Sequence, residues 1–234
     1  ADAILTCSEL AALSYISAGV PSEKLAAVPL GADLYTSELP EKSVSAVVRF
    51  VFVGSLRAVK GVDLLLDIFE QFQKDAVPAQ LTLIGGIAEG NLATMATRLA
   101  NLKLIPFISH PKVFEEMARH DVLLLPSRFD SFGMVVPEAM SVGVPAMVTD
   151  RVGAKCIIEQ HPAAGWIVPC EREAIREKIL DLIARRDQLA VASTAARSAA
   201  KDYQWSSYRQ RVVETLEHVY RTKRGQSKDL PSCD

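Results

Sequence analysis

Short apolar runs alternate with amphipathic segments along almost the whole sequence, and this alternation limits the possible folds more than any other feature. Residues 50–53 and 122–125 are apolar throughout. Strands have this pattern when helices cover both faces of a parallel sheet, because both faces are then buried. The sequence therefore predicts an α/β fold, a doubly wound parallel sheet with right-handed crossovers.

The predicted elements follow from the same pattern. Leu65, Ile68, Phe69 and Phe72 recur at helical spacing and share one face of a helix. The polar stretch 36–46 interrupts the pattern and predicts a linker or a long surface loop. The predicted strands are 3–7, 25–29, 49–53, 80–84, 102–107, 122–126, 146–149 and 165–168, and the predicted helices are 62–74, 92–100, 111–120, 137–142, 157–160, 171–186 and 206 to about 220.

The charge balance, the cysteines and the length of the apolar runs limit the kinds of partner and site that this chain can have. The 26 basic and 28 acidic residues give a formal net charge of −2, which argues against broad electrostatic capture of nucleic acid. The cysteines (Cys7, Cys156, Cys170 and Cys233) are scattered without metal-ligand spacing, so we expect reduced thiols and no metal site. No run approaches the ~18 apolar residues of a membrane span. We expect a cytoplasmic protein without a transmembrane segment.

The loop after the first apolar run carries two glycines and two cations, namely Gly54, Arg57, Lys60 and Gly61. Gly54 permits a tight exit from the strand, and Gly61 permits close approach of the backbone where the next helix begins. Arg57 and Lys60 place positive charge beside a helix N-terminus, a setting that favours anions. The loop suits a diphosphate. A surface loop with two solvated cations fits the same residues, so both interpretations stay open.

A second loop, after the apolar run 122–125, carries two carboxylates. Asp130 precedes a glycine turn and Glu138 lies in the helix that follows, so both can face the same crevice. Ionised carboxylates only accept hydrogen bonds, which suits sugar hydroxyls. The amides of Phe132, Gly133 and Met134 would add donors. Taken singly, Asp130 is typical of a turn and Glu138 of a helix start, and only their joint occurrence favours a site.

Other candidates carry less weight. Gly85 and Gly86 end another predicted strand and would let a ligand approach the backbone, but glycines are common at this place in any α/β fold. We expect surface or loop positions for the histidines, which lack metal-ligand spacing: His110, His120, His161 and His218.

As a set, these motifs resemble glycosyltransferase family 4, retaining enzymes with the two-domain GT-B architecture. The strand–glycine loop through Lys60 and Gly61 is similar to the family's phosphate loop. The span from Asp130 to Glu138 resembles its Glu-x7-Glu signature, with Asp130 in place of the first glutamate. Ser55 stands where the family usually has arginine. The resemblance covers nearly the whole chain and implies a Rossmann-like donor-binding half.

The resemblance implies a role for each site residue. Lys60, with Arg57, would hold the donor diphosphate and stabilise the charge of the leaving group without a metal. Asp130 would hold the donor sugar and Glu138 the ribose hydroxyls of a UDP- or GDP-sugar, with no other cofactor. The implied donor-binding residues are Gly54, Ser55, Arg57, Lys60, Gly85, Asp130, Phe132, Gly133, Met134, Val135 and Glu138, and the implied catalytic residues are Asp130, Lys60 and Arg57.

The resemblance also divides the chain. Residues 1–33 would be a remnant of the N-terminal acceptor domain, 34–46 a linker, 47–200 the nucleotide-sugar donor-binding domain, and 201–234 a C-terminal crossing helix and tail. The chain would then be a fragment that is inactive alone, whose glycan or lipid-linked acceptor binds through the absent domain. That domain would also allow a peripheral position at the inner membrane face. We expect self-association through an uncovered apolar helix face: Val212, Val213, Leu216, Val219 and Tyr220.

The expected function is transfer of a hexosyl group from a nucleotide-diphosphate sugar to a glycan or lipid-linked acceptor, with retention of configuration. Two alternatives remain open. A nucleotide-sugar epimerase of the same fold would need carboxylates and a histidine together at the cleft, and the sequence indicates no such set. A non-catalytic nucleotide-binding module is the other, although scaffolding alone needs neither Lys60 nor Glu138.

Overall fold

A parallel sheet forms the centre of the protein in the computed structural model, which describes residues 2–40, 45–86 and 90–226. Its strands are β3 (Val48–Val53), β4 (Ala79–Ile84), β5 (Leu102–Ile105), β6 (Val122–Leu125), β7 (Ala146–Thr149) and β8 (Gly165–Val168). Their order across the sheet is β5-β4-β3-β6-β7-β8, and every pairing is parallel. This confirms the predicted α/β class.

Helices fill the connections between these strands. Every residue of β6 and β7 is buried, which requires cover on both faces of the sheet. The helices are α2 (Val62–Lys74), α3 (Gly90–Ala96), α4 (His110–Met117), α5 (Val135–Ser141), α6 (Lys155–Gln160), α7 (Arg172–Ala184), α8 (Asp187–Ala200) and α9 (Trp205–Gln226).

The core explains why residues 62–74 fold as a helix. The face predicted from the sequence, with Leu65, Ile68, Phe69 and Phe72, is fully buried. The Phe69 ring contacts Phe50 of β3 edge-on at 5.9 Å and Phe72 at 5.4 Å. Burying one side chain of this size contributes about 1.5–3 kcal/mol, so this face alone anchors α2 to the sheet.

A small unit precedes the sheet. Its strands β1 (Ile4–Thr6) and β2 (Leu25–Ala27) pair in parallel around helix α1 (Glu9–Ser17). The chain then crosses the start of α9: the Ala32 amide donates to the Tyr203 carbonyl at 2.8 Å. A Cβ on Gly31 would lie 2.6 Å from the Cα of Trp205, so only glycine fits at this crossing.

Several predicted boundaries were wrong. The strand predicted to reach residue 107 ends at Ile105, because Pro106 has no N–H to donate, and Phe107 is 86% exposed. The last helix begins at Trp205 and runs past residue 220 to Gln226, since nothing in its polar sequence breaks it. Helix α8 was not predicted; its buried face is alanine only, which gives a weak apolar signal.

The predicted linker 34–46 is partly a packed segment. Tyr35 stacks on Phe114 of α4 with ring centroids 5.5 Å apart, while residues 41–44 lie outside the described part of the chain. Of the predicted reduced cysteines, Cys7, Cys156 and Cys170 are free thiols, and Cys233 lies outside the described residues.

The apolar face predicted on the last helix is partly uncovered. Val213, Leu216 and Tyr220 are each more than half exposed, whereas Val212 and Val219 are half-buried. Self-association through this face stays a prediction. None of the described helices is both long enough and apolar enough to cross a membrane.

Candidate functional site

A crevice of about 280 Å³ opens beyond the carboxyl ends of β3 and β6. The strand order reverses between these two strands, because the chain builds β4 and β5 on one side of β3 and then returns to add β6 on the other. Ligands of open α/β sheets bind at such switch points. The predicted donor-binding residues that line the crevice are Gly54, Lys60, Asp130, Phe132, Gly133, Met134 and Val135.

Two glycines shape the walls of the crevice by packing. Gly61 has φ +73°, and a Cβ there would lie 2.0 Å from the Pro126 carbonyl oxygen, so the Lys60 loop can approach the end of β6 only with glycine. Gly85 has φ +147° and would place a Cβ 2.0 Å from the Gly54 carbonyl oxygen. Gly85 does not line the crevice; its observed contact is with the neighbouring strand exit.

Lys60 and Asp130 meet at the crevice. The Lys60 ammonium donates to Asp130 Oδ2 at 2.7 Å, and the two side chains are 28% and 15% exposed. Lys60 ends a short 3-10 turn after β3, and Asp130 follows β6, so the pair joins the two sides of the switch point. The site thus holds one cation and one anion that balance each other.

Arg128 fixes the turn that carries Lys60. Its guanidinium forms two hydrogen bonds of 2.7 Å to the Asp63 carboxylate at the start of α2 and also donates to the Ala58 carbonyl. Its backbone amide donates to the Val59 carbonyl at 2.9 Å. Sequence analysis did not single out Arg128, and the only available signal was its place just after a predicted strand. The residue ties both loops of the crevice together.

The turn after Asp130 is held by the loop that follows β7. The Asp130 amide donates to the Arg151 carbonyl at 3.0 Å, and the Gly153 amide donates to the Asp130 carbonyl at 2.9 Å. Ser8 of the N-terminal unit donates to the Ser131 carbonyl at 2.6 Å. Within the described residues, the amides of Phe132, Gly133 and Met134 have no hydrogen-bond acceptor, so they remain available to a ligand.

Glu138 lies outside the lining of this crevice, one turn further along α5. The expectation that it faces the same crevice as Asp130 therefore stays a prediction. Its Oε1 lies 3.1 Å from Nε2 of His110, and its side chain is 15% exposed. Burial raises the pKa of Glu138, His110 lowers it, and the nearby Asp33 raises it.

His110 is a residue whose contact with a candidate site residue sequence reasoning missed. We expected an ordinary surface or loop position, and its side chain is 53% exposed, yet it pairs with a candidate site carboxylate. The ring packs edge-on against Phe114 at 4.9 Å. A carboxylate and a histidine thus lie together, which the sequence did not indicate. The one available signal was that His110 follows a strand end, as the other site residues do.

Ser55 and Arg57 are not brought into the crevice. Both side chains are exposed, and neither residue lines the cavity. Among residues 2–40, 45–86 and 90–226, no cluster of three or more histidine, cysteine, aspartate or glutamate side chains could hold a metal ion. Of the two predicted phosphate ligands, Lys60 lines the crevice and Arg57 does not.

Comparison with known proteins gives a family match. The family model described as "Glycosyl transferases group 1" matches residues 41–199, which include both strand-end loops of the crevice.

Two curated relatives illustrate the range of similar proteins. A D-inositol 3-phosphate glycosyltransferase of Jonesia denitrificans is 29% identical over 66% of this chain and 39% of its own length. A sucrose synthase of Acidithiobacillus caldus is 33% identical over 42% of this chain and 13% of its own length. The chain thus spans less than half the length of these relatives.

Solved structures share the fold. HepE of Anabaena, crystallised with UDP and glucose, matches with a TM-score of 0.75 and 22% identity over 93% of this chain and 63% of that one. WaaG, a glycosyltransferase involved in lipopolysaccharide biosynthesis, matches with a TM-score of 0.75 and 18% identity over 90% of this chain and 61% of that one. At these identities the likeness establishes the α/β architecture.

Proposed function

The chain belongs to the Glycosyl transferases group 1 family, and we propose that it is the donor-binding part of a retaining glycosyltransferase. This enzyme would move a hexosyl group from a UDP- or GDP-sugar to a glycan or lipid-linked acceptor. The observation that carries the proposal is the Lys60–Asp130 pair, 2.7 Å apart in a crevice at the switch point of the sheet.

Lys60 is the proposed ligand of the donor diphosphate. Its ammonium is held at the crevice by a fixed turn, and a charge-assisted hydrogen bond to phosphate is roughly twice as strong as a neutral one. When the glycosidic bond to the diphosphate breaks, negative charge grows on the leaving oxygen. A preorganised cation stabilises that charge more in the transition state than in the bound donor, and this difference accelerates the reaction. The proposal requires no metal.

Asp130 and the adjoining amides are the proposed ligands of the transferred sugar. The carboxylate accepts from hydroxyl groups, and the amides of Phe132, Gly133 and Met134 donate to sugar or phosphate oxygens. When the donor enters, the salt bridge between Asp130 and Lys60 must break. Lys60 then binds the diphosphate, and Asp130 binds the sugar hydroxyls.

Glu138 is the proposed ligand of the ribose. Its carboxylate lies in the first turn of α5, the short helix whose first residue, Val135, lines the crevice. A nucleotide whose diphosphate lies at Lys60 could extend its ribose towards Glu138. HepE of Anabaena, which shares this fold, has been crystallised with UDP-glucose, and this supports a nucleotide sugar as the ligand proposed here.

The acceptor is proposed to bind outside the donor crevice, through a part of the enzyme that this chain does not contain. The relatives are longer than this chain, which leaves room for an acceptor domain. The exposed side chains of Leu13, Tyr15 and Ile16 on α1 would face that domain.

Calorimetric titration of UDP, GDP and the two nucleosides tests the donor site. Lys60→Met should weaken binding of the preferred diphosphate about 10- to 100-fold and leave nucleoside binding unchanged, because the lost contact is with phosphate. Lys178→Met is the matched control: Lys178 is 29% exposed and pairs with Asp181 at 2.9 Å, but lies on α7. Equal losses for nucleoside and diphosphate would remove Lys60 from the diphosphate site.

Activity of the protein together with its acceptor domain distinguishes transfer from epimerisation. Incubation with a nucleotide sugar and acceptor should release nucleotide, and NMR of the product should show the anomeric configuration of the donor. Interconversion of nucleotide sugars without release of nucleotide would instead identify an epimerase. An inverted product would contradict the retaining mechanism.

A further inference from the structure

One pair of the site is not explained by donor binding alone. Nε2 of His110 lies 3.1 Å from Oε1 of Glu138, whereas Oε2 of Glu138 has no hydrogen-bond partner in the part of the chain that the structure describes. A carboxylate has about four acceptor positions on its two oxygens. The described part of the protein therefore engages one of the two Glu138 carboxylate oxygens, and the other can still accept a hydrogen bond.

Three segments fix this pair. His110 begins α4, and its ring packs edge-on against Phe114 of the same helix. Phe114 stacks on Tyr35 of the segment before the sheet, and the Tyr35 amide donates to the Ser141 hydroxyl at 3.4 Å. The Ser141 hydroxyl in turn donates to the Glu138 carbonyl at 2.6 Å. These contacts link His110 back to the backbone of Glu138, so both the imidazole and the carboxylate are held in place.

We propose that His110 is a positioning residue that holds one oxygen of the Glu138 carboxylate and so presents the other oxygen to the ribose hydroxyls of the nucleotide. The inference rests on the proposed ribose role of Glu138. His110 itself does not touch the ribose in this proposal. It limits rotation of the carboxylate and keeps it ionised, because an imidazole that donates a hydrogen bond stabilises the charged form.

The charges around Glu138 should make its binding of the ribose depend on pH. Glu138 lies on α5, His110 comes from α4, and Asp33 comes from the segment before the sheet. Burial and Asp33 raise the pKa of Glu138, and His110 lowers it. Ribose binding through an ionised carboxylate is lost as the pH falls through the pKa of Glu138. Without His110 that pKa is higher, so the loss begins at a higher pH.

The test compares UDP with 2′-deoxy-UDP, or GDP with 2′-deoxy-GDP if the protein prefers GDP, by calorimetry between pH 5 and 8. His110→Phe keeps a ring against Phe114 but removes the hydrogen bond. It should reduce the preference for the ribonucleotide roughly three- to tenfold and move the acid loss of that preference to higher pH. His110→Gln keeps a donor and should restore most of the preference.

Matched variants separate the possible outcomes. His161→Phe is the control, since His161 also pairs with a carboxylate, Asp202, at 3.2 Å, and thermal unfolding verifies that each variant is folded. If Glu138→Gln abolishes the preference but His110→Phe changes neither its size nor its pH profile, His110 has no positioning role and the proposed function stands. If His110→Phe weakens both nucleotides alike, the inference is overturned. If Glu138→Gln leaves the preference intact, the ribose assignment itself fails.

Discussion

Asp130→Asn should strengthen the binding of UDP or GDP. The Asp130 carboxylate holds the Lys60 ammonium at 2.7 Å, and a diphosphate that binds Lys60 must draw this cation away. The substitution keeps the shape of the side chain but removes its charge, so Lys60 is released. It also removes the repulsion between the carboxylate and the entering phosphates.

The structure sets the size of this effect. Fully exposed ion pairs contribute about 0–1 kcal/mol, and hydrogen bonds to charged groups about 1.5–3 kcal/mol. The two side chains here are 28% and 15% exposed, so the pair lies between these cases, at about 1 kcal/mol. If binding of the diphosphate must first overcome that amount, its removal tightens binding about fivefold.

Calorimetry at low and high salt measures the change. Asp130→Asn should bind the diphosphate about fivefold more tightly, with nucleoside binding unchanged, and the gain should shrink as salt screens the charges. It should also lose the additional affinity that an intact nucleotide sugar gains over the diphosphate. Asp181→Asn is the control, because it removes a paired carboxylate on α7. Weaker diphosphate binding by Asp130→Asn would mean that Asp130 positions Lys60 for the phosphates, and would refute the reasoning.

Three further predictions address the frame of the site and the outer surface. Arg128→Met and Asp63→Asn should each weaken diphosphate binding about three- to tenfold in calorimetric titrations without affecting nucleoside binding, because either change frees the turn that both residues hold. The double variant should bind the diphosphate little more weakly than either single variant, and additive losses of affinity would contradict a shared role. Gly61→Ala should lower the free energy of unfolding by more than about 2 kcal/mol in urea titrations, because φ at Gly61 is +73° and the added Cβ meets the Pro126 carbonyl oxygen. An unchanged urea midpoint would contradict the close approach of Gly61 to the end of β6. Leu216→Glu together with Tyr220→Glu should reduce self-association in sedimentation runs without lowering the melting temperature, and a wild type that is monomeric at every concentration would dismiss the apolar face as an interface.

The fold could be predicted because its signal is local and repeated. Runs such as 50–53 and 122–125 are apolar at every position, and only a sheet covered on both faces buries them. The boundaries were less certain where one residue decides them, as Pro106 does at the end of β5. Helix α8 escaped prediction because its buried positions are alanines, which differ little from their neighbours in hydrophobicity.

The site could be predicted in part, because glycines and charges that follow strand ends converge on one edge of a parallel sheet. Lys60 and Asp130 were placed correctly at the crevice by this rule. Their direct pairing, the outward position of Arg57, and the His110–Glu138 contact depend on the packing of helices that are distant in sequence. Periodicity contains no information on which rotamers such packing allows.

The strand order has a consequence for synthesis of the protein. Strand β3 can pair with β4 once both have left the ribosome, but its other edge has no partner until β6 is made. During that interval an apolar strand edge is exposed to chaperones and to other nascent chains. The addition of β6 closes this edge and, in the same step, carries Asp130 to Lys60. A nascent chain therefore acquires its binding crevice in the same step that covers the open edge of β3.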